Sequence, residues 1–193
     1  MSGRPEHLRR VKEELVAASA ADPAAARRRP WVRARPVEGL AVLSSFEQYG
    51  RSWELLADEA ADRGGGESGP SPLRYLLSGA AACLIGWIRK VEAERGEEIR
   101  LREVELRTTL DMRGENRLAE VPVHPPWFVA EVRLGDRAAG AEELVREALA
   151  RCPLTALLAR AVPVLLLLVD ERGTVRDDRD DAVRAEDEEE VTR

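Results

Sequence analysis

Near the start of the chain, Leu8, Val11, Leu15 and Val16 recur at helical spacing among charges, so residues 5–20 are expected to form a helix. Pro23 and the run Arg27–Arg29 close it with a polar linker. From Trp31 to Asp58 the apolar positions fall instead in short extended stretches, Val32–Val37, Leu40–Phe46 and Ser52–Ala57, broken at Glu38-Gly39 and Tyr49-Gly50. Turn residues at those breaks predict a meander of three antiparallel strands. The next stretch, Arg63-Gly-Gly-Gly-Glu-Ser-Gly-Pro-Ser-Pro72, is too rich in glycine and proline for helix or ladder and delivers the chain to a helix start.

That helix is predicted over Pro72–Glu94, with Ser71 as N-cap and Pro72 at the first helical position, where a missing N–H costs nothing. Leu73, Leu76, Ala80, Cys83, Leu84, Trp87, Ile88 and Val91 make it apolar almost all round, the pattern of a helix buried on most sides at the centre of a domain or of a dimer. Residues 99–111 alternate, and 118–134 read as extended apart from His124-Pro-Pro126, giving two strands joined near Arg113–Asn116. Ala141–Ala150 and Pro153–Arg160 carry short helical patterns, and Val162–Val169 reads as a buried strand. This order argues for an α+β fold. The expected organisation is a helical extension and linker (1–30), a folded domain (31–169) and a tail (170–193).

Charge separates the tail from the body. The net charge of −6 falls entirely in residues 170–193, which hold eleven acidic and five basic side chains. Such a tail is expected to be solvated and disordered. The neutral remainder lacks the clustered positive field that displaces counterions from phosphates, so no nucleic-acid partner is expected. The N-terminal residues have no signal-peptide pattern and the longest apolar run, Val162–Val169, is too short to span a bilayer. No membrane partner is therefore expected, and the cytoplasm is the expected location.

Two cysteines 69 residues apart in a reducing compartment suit transient redox chemistry better than a permanent cross-link, with two buried, inert thiols as the alternative. Their settings differ. Cys152 directly precedes Pro153 at a helix start, where free N–H groups favour a thiolate. Cys83 lies in mid-helix and needs a nearby cation to be reactive at neutral pH. His124 is a candidate partner in a Cys–His nucleophile pair, with a strand-end bend as the bland reading. Trp87 and Trp127 are candidates for a pocket wall or for the core. Neither Cys nor His falls in a metal-ligand spacing, and no cofactor is expected.

Two stretches together resemble the OsmC/Ohr superfamily. One is Gly69-Pro-Ser-Pro72-Leu-Arg-Tyr-Leu-Leu-Ser-Gly-Ala-Ala-Ala-Cys83, a proline-headed helix with a cysteine eleven residues on; the other is Ala148-Leu-Ala-Arg-Cys152-Pro153-Leu-Thr. The resemblance covers roughly residues 31–169. It implies an OsmC-like α+β fold, with antiparallel sheets around a long buried central helix, assembled as an intertwined homodimer. It also implies a thiol peroxidase acting on organic hydroperoxides. In that chemistry Cys83 becomes a sulfenic acid, Cys152 resolves it to a disulfide, and a dithiol reductant restores the pair. The alternative is a non-catalytic OsmC-like dimer that binds an apolar small molecule.

Peroxidases of the family carry a Glu after the helix-heading proline, paired with an active-site Arg; here that position is Leu73, and the next, where other members have Glu, is Arg74. Arg63, nine residues before Pro72, is the first choice for the arginine, with Arg35 and Arg51 as substitutes. Asp58 and Glu67 are the candidates to replace the missing carboxylate.

Overall fold

The computed structural model of the chain describes residues 4–136 and 139–191. In chain order its elements are α1 (Arg4–Ala21), β1 (Arg33–Pro36), β2 (Val42–Gln48), β3 (Arg51–Ala57), a 3-10 turn (Ala61–Arg63), α2 (Pro72–Arg95) and β4 (Leu101–Arg107). There follow α3 (Met112–Glu115), β5 (Phe128–Leu134), α4 (Ala141–Arg151), α5 (Pro153–Leu158), β6 (Val164–Asp170), β7 (Gly173–Asp177) and α6 (Asp181–Val191). The α+β class holds, with one long helix, α2, of 24 residues. The chain divides into two compact units, Lys12–Ser78 and Gly79–Arg193 with Met1–Val11; α1 and α2 each run from one into the other.

In the Lys12–Ser78 unit, β1, β2 and β3 form an antiparallel meander whose second hairpin pairs Val42 with Ala57 through to Gln48 with Arg51. Tyr49 and Gly50 both have positive φ (57° and 69°), the handedness that lets a two-residue turn match the strand twist. The glycine-rich loop after β3 is ordered by one buried carboxylate. Asp58, 3% exposed, accepts from the N–H groups of Glu59 (2.8 Å), Gly66 (3.0 Å) and Ser68 (3.0 Å) and from the Ser68 hydroxyl (2.8 Å). A Cβ at Gly65 would lie 1.8 Å from the Glu59 carbonyl oxygen, so the loop closes only with glycine there. α2 begins as the Ser71 carbonyl accepts from the N–H groups of Arg74 and Tyr75.

In the other unit the strand order is β4-β5-β6-β7. The expected antiparallel arrangement is corrected at its centre, because β5 and β6 are parallel, with Ala130 opposite Leu166 and Val132 opposite Leu168. The cause is the connection: two helices, α4 and α5, carry the chain from the end of β5 back to the start of β6, a crossover that returns the strand in the same direction. Both faces of this pair are buried. On one, Ala130, Val132 and Leu168 are 0% exposed and Leu166 is 1% exposed. On the other, Trp127, Val129 and Leu167 pack with Leu165, Val169 and Val183 of α6.

The expectation of a disordered tail is also corrected. Residues 173–177 form β7 and 181–191 form α6, because acidic side chains of this segment, Asp187, Glu186 and Asp177 among them, have internal partners. Asp187, 1% exposed, accepts from Arg107 Nε (2.6 Å) and Nη2 (2.8 Å) and from Arg179 Nη1 (2.6 Å). Glu186 accepts from the Trp127 indole (3.1 Å), and Asp177 pairs with Arg179 at 2.9 Å. Residues 118–127, expected as part of a strand, lie outside the sheet; Pro122, Pro125 and Pro126 have no N–H to give a ladder, and β5 starts only at Phe128.

Candidate active site

Cys83 lies three turns into α2, beside a buried stripe in which Ala80, Leu84, Ile88 and Val91 are 0% exposed. It sits at the edge of that stripe, half-buried, and so keeps a face toward solvent. Cys152 is 0% exposed and occupies the break between α4 and α5, with the extended backbone angles φ −71° and ψ 118°. Pro153 requires that break, since a residue before proline is driven out of the helical region, and proline itself opens α5 at no hydrogen-bond cost. The Thr155 hydroxyl donates to the Leu149 carbonyl at 2.6 Å and holds the two helices across the break. On α2, a Cβ at Gly79 would lie 4.0 Å from Leu154 Cδ1, so α2 and α5 approach closely where α2 has no side chain.

This approach brings the two sulfurs together. Both cysteines are free, and their thiols lie within hydrogen-bonding reach of each other. Burial pushes the Cys83 thiol up, and the bond to Cys152 and the charge there push it further, against weaker lowering by the Leu154 N–H and by Lys90. Burial acts on Cys152 in the same direction. The Thr155 hydroxyl and N–H, the Cys83 thiol and the Leu154 N–H together outweigh it, and the Cys152 thiol lies below its ordinary value. No cap of regular hydrogen-bond geometry runs from Cys152 to α5, so these N–H groups act as dipoles facing the sulfur rather than as formal caps.

Lys90 reaches this site because it lies seven residues, two turns, beyond Cys83 on α2. Its ammonium sits 4.6 Å from the centre of the Trp87 ring, and the Arg151 guanidinium sits 5.0 Å from the same ring. Arg151 is held by Glu94 (2.7 Å) and Glu147 (2.6 Å), and Glu147 in turn by Arg95 (2.6 Å). Trp87 therefore belongs to a cationic cluster next to both cysteines. Lys90 and Thr155 carry no motif of their own; their signals are the seven-residue spacing from Cys83 and the third helical position after Cys152.

The remaining candidates lie as follows. Arg63 ends the 3-10 turn of the Lys12–Ser78 unit and pairs with Glu59 at 3.5 Å. Arg35 and Arg51 are exposed on β1 and β3. Asp58 is occupied in the loop cradle, whose N–H and hydroxyl donors hold its pKa down. Glu67 accepts from the Ala61 N–H at 3.2 Å. Exposed His124 donates from Nδ1 to the Pro125 carbonyl (2.8 Å) and lines a cavity of about 520 Å³ with Asp111, Arg113 and Glu186, whereas the partner of Cys83 is Cys152. Trp127 is core, 4% exposed. Among the described residues no group of His, Cys, Asp and Glu could hold a metal ion, and no helix is long and apolar enough to cross a membrane.

The sequence model of the OsmC-like protein family matches residues 64–166, just over half of the chain and the part that contains both cysteines. The chain belongs to the OsmC-like family. Solved structures agree on the fold. An organic hydroperoxide resistance protein OsmC from Legionella pneumophila is 19% identical with a TM-score of 0.57, over 73% of this chain and 96% of that one. The organic hydroperoxide resistance protein OhrB of Bacillus subtilis is 24% identical with a TM-score of 0.51, over 73% and 98%. An organic hydroperoxide resistance protein from Elizabethkingia anophelis is 12% identical with a TM-score of 0.56, over 75% and 99%. No curated protein matches the chain. The family match ends within β6, so β7 and α6 lie beyond it.

Proposed function

We propose that this OsmC-like protein is a thiol peroxidase that reduces organic hydroperoxides, with Cys83 as the attacking thiol, Cys152 as its resolving partner and Arg63 as the supporting arginine. The observation that carries the reading is the contact between two free thiols of unequal exposure, Cys83 half-buried and Cys152 fully buried. A peroxide can meet only the accessible sulfur. The sulfenic acid formed there lies against a second thiol, which converts it to a disulfide before further oxidation. The apolar helix around Cys83 favours a bulky organic peroxide over hydrogen peroxide. An external dithiol then reduces the disulfide by exchange.

A homodimer is part of the reading. α2 leaves Leu76 and Ile85, on its two flanks, 44% and 36% exposed, apolar surface of the kind that a second copy covers.

The test is stoichiometric. Reduced protein treated with limiting cumene hydroperoxide should consume one equivalent and form the Cys83–Cys152 disulfide, read by mass spectrometry. Cys83→Ser should abolish consumption, and Cys152→Ser should stop at a dimedone-reactive Cys83. Wild-type protein that neither consumes the peroxide nor forms the disulfide would overturn the reading. The second reading, a non-catalytic binder of an apolar small molecule, is favoured by Leu73 in place of the family Glu. It expects thermal stabilisation by an apolar ligand and no change in it on Cys83→Ala.

A further inference from the structure

The charges of residues 1–169 cancel only as a sum, and in the Lys12–Ser78 unit the positive ones are concentrated in one place. Arg27, Arg28, Arg29, Arg33 and Arg35 fall within one short stretch, and no acidic side chain lies between Asp22 and Glu38. Residues 27–32 belong to no helix or strand, and β1 is an edge strand, so the whole stretch is exposed.

Among the described residues none of these five guanidinium groups is ion-paired. Arg28 donates to the carbonyls of Ala25 (2.6 Å) and Arg27 (3.0 Å), and the Arg33 guanidinium lies 5.0 Å from the centre of the Trp31 ring. Arginines elsewhere in the chain do find carboxylates: Arg107 pairs with Glu131, Arg146 with Asp178 and Arg151 with Glu94. Like charges held well within a Debye length of about 8 Å repel one another, so the stretch gains from any surface of opposite sign.

Exposed apolar side chains share it. Trp31 is 50% exposed, Val32 60%, Val37 54% and Leu40 49%, the last two at the turn between β1 and β2. Guanidinium groups fit phosphate oxygens in a bidentate fork, which suits both a phospholipid headgroup and a nucleic-acid backbone. The aliphatic side chains decide between them. On a single strand, affinity beyond the phosphates comes from bases stacked on aromatic rings, which leaves Val32, Val37 and Leu40 without a role. At a bilayer such side chains enter the boundary between headgroups and acyl chains, where tryptophan is also enriched.

We propose that residues 27–40 form a peripheral docking surface for an anionic phospholipid bilayer. The arginines take the headgroup phosphates, and Trp31, Val32, Val37 and Leu40 enter the boundary below them. The surface lies ahead of the part of the chain that matches the family, which begins at residue 64, and it depends on neither cysteine. It amends the expectation of no membrane partner, which rested on spanning length and summed charge; neither registers a local patch on a chain that does not cross.

The experiment is co-sedimentation of the full chain with vesicles of phosphatidylcholine alone or with about 30% phosphatidylglycerol. Wild type should bind the anionic vesicles only, and leave them as NaCl rises from about 0.1 M to about 0.5 M. Each arginine near an anionic surface is worth about fivefold in binding. Replacing Arg27, Arg28 and Arg29 together by Gln should therefore weaken binding about 100-fold, and Arg33→Gln with Arg35→Gln about 25-fold. Trp31→Ala should weaken binding while leaving its salt dependence unchanged, because it removes apolar contact and no charge. Circular dichroism checks the fold of each variant, and Val32→Ser replaces Trp31→Ala if that variant does not fold.

Equal binding to both vesicle types, binding to neither, or arginine variants that bind as wild type does would overturn the proposal. So would binding of an oligothymidylate strand without binding of vesicles, which assigns the surface to nucleic acid. Arginine variants whose sole change is loss of a dimer in sedimentation velocity would assign it to a contact between copies, and overturn the proposal as well.

Discussion

The strongest structural claim outside the thiol site is that α6 is fastened to the sheet through Asp187, and Asp187→Ala tests it. The carboxylate is 1% exposed and takes three charge-assisted hydrogen bonds, at 2.6 and 2.8 Å from Arg107 and at 2.6 Å from Arg179. Removing one partner of a buried ion pair typically costs about 3–5 kcal/mol, because the charge left behind stays buried. Here the loss should fall at the lower end, about 3 kcal/mol, because other carboxylates remain to take part of the charge. Arg107 keeps Glu131 at 2.6 Å, and Arg179 keeps Asp177 at 2.9 Å.

Amide hydrogen exchange is the appropriate assay, since α6 can open without the rest of its unit. The α6 amides, and those of β5 beneath Val183, should lose protection by about that amount, while those of β2 and β3 should not change. The effect has a pH signature. Burial raises the Asp187 pKa, but the bonds from Arg107 and Arg179 outweigh it and hold the carboxyl below its ordinary value. A carboxyl with a depressed folded-state pKa contributes stability in full above its unfolded value of about 3.9, and loses it as pH falls through the folded value. The gap between wild type and variant should therefore be constant from pH 5 to 7 and close only in stronger acid. A loss of under about 0.5 kcal/mol, the range of ordinary surface substitutions, or a gap that widens in acid would refute the clasp.

Three further outcomes follow from single contacts. Gly65→Ala should lower the melting temperature, at a cost of about 1–3 kcal/mol, because its Cβ would meet backbone at 1.8 Å, which no rotamer change relieves. Thr155→Val should cost about 1 kcal/mol in urea unfolding, through the lost bond to the Leu149 carbonyl, and should slow disulfide formation by removing a donor near Cys152. Lys90→Met should slow iodoacetamide alkylation of Cys83 by about 2–5-fold at pH 7, because it removes the cation that lowers this thiol, whereas Lys90→Arg, which keeps the charge, should stay near wild type.

Periodicity located the elements whose burial is one-sided or complete. The limits of α2, the β1–β3 meander and the breaks at Tyr49-Gly50 and Pro153 were all legible because turn and cap residues punctuate them. The direction of β5 against β6 was not, since a fully apolar strand looks the same in either orientation and only the α4–α5 crossover decides it. The C-terminal segment was misjudged for a different reason. Composition counts charges but not their partners, and Arg107, which fastens Asp187, lies 80 residues earlier in the sequence. At the site, the motif spacing marked both cysteines, whereas Lys90 and Thr155 stayed hidden because a lysine on a helix and a threonine after proline are ordinary surface residues until the fold sets them against sulfur.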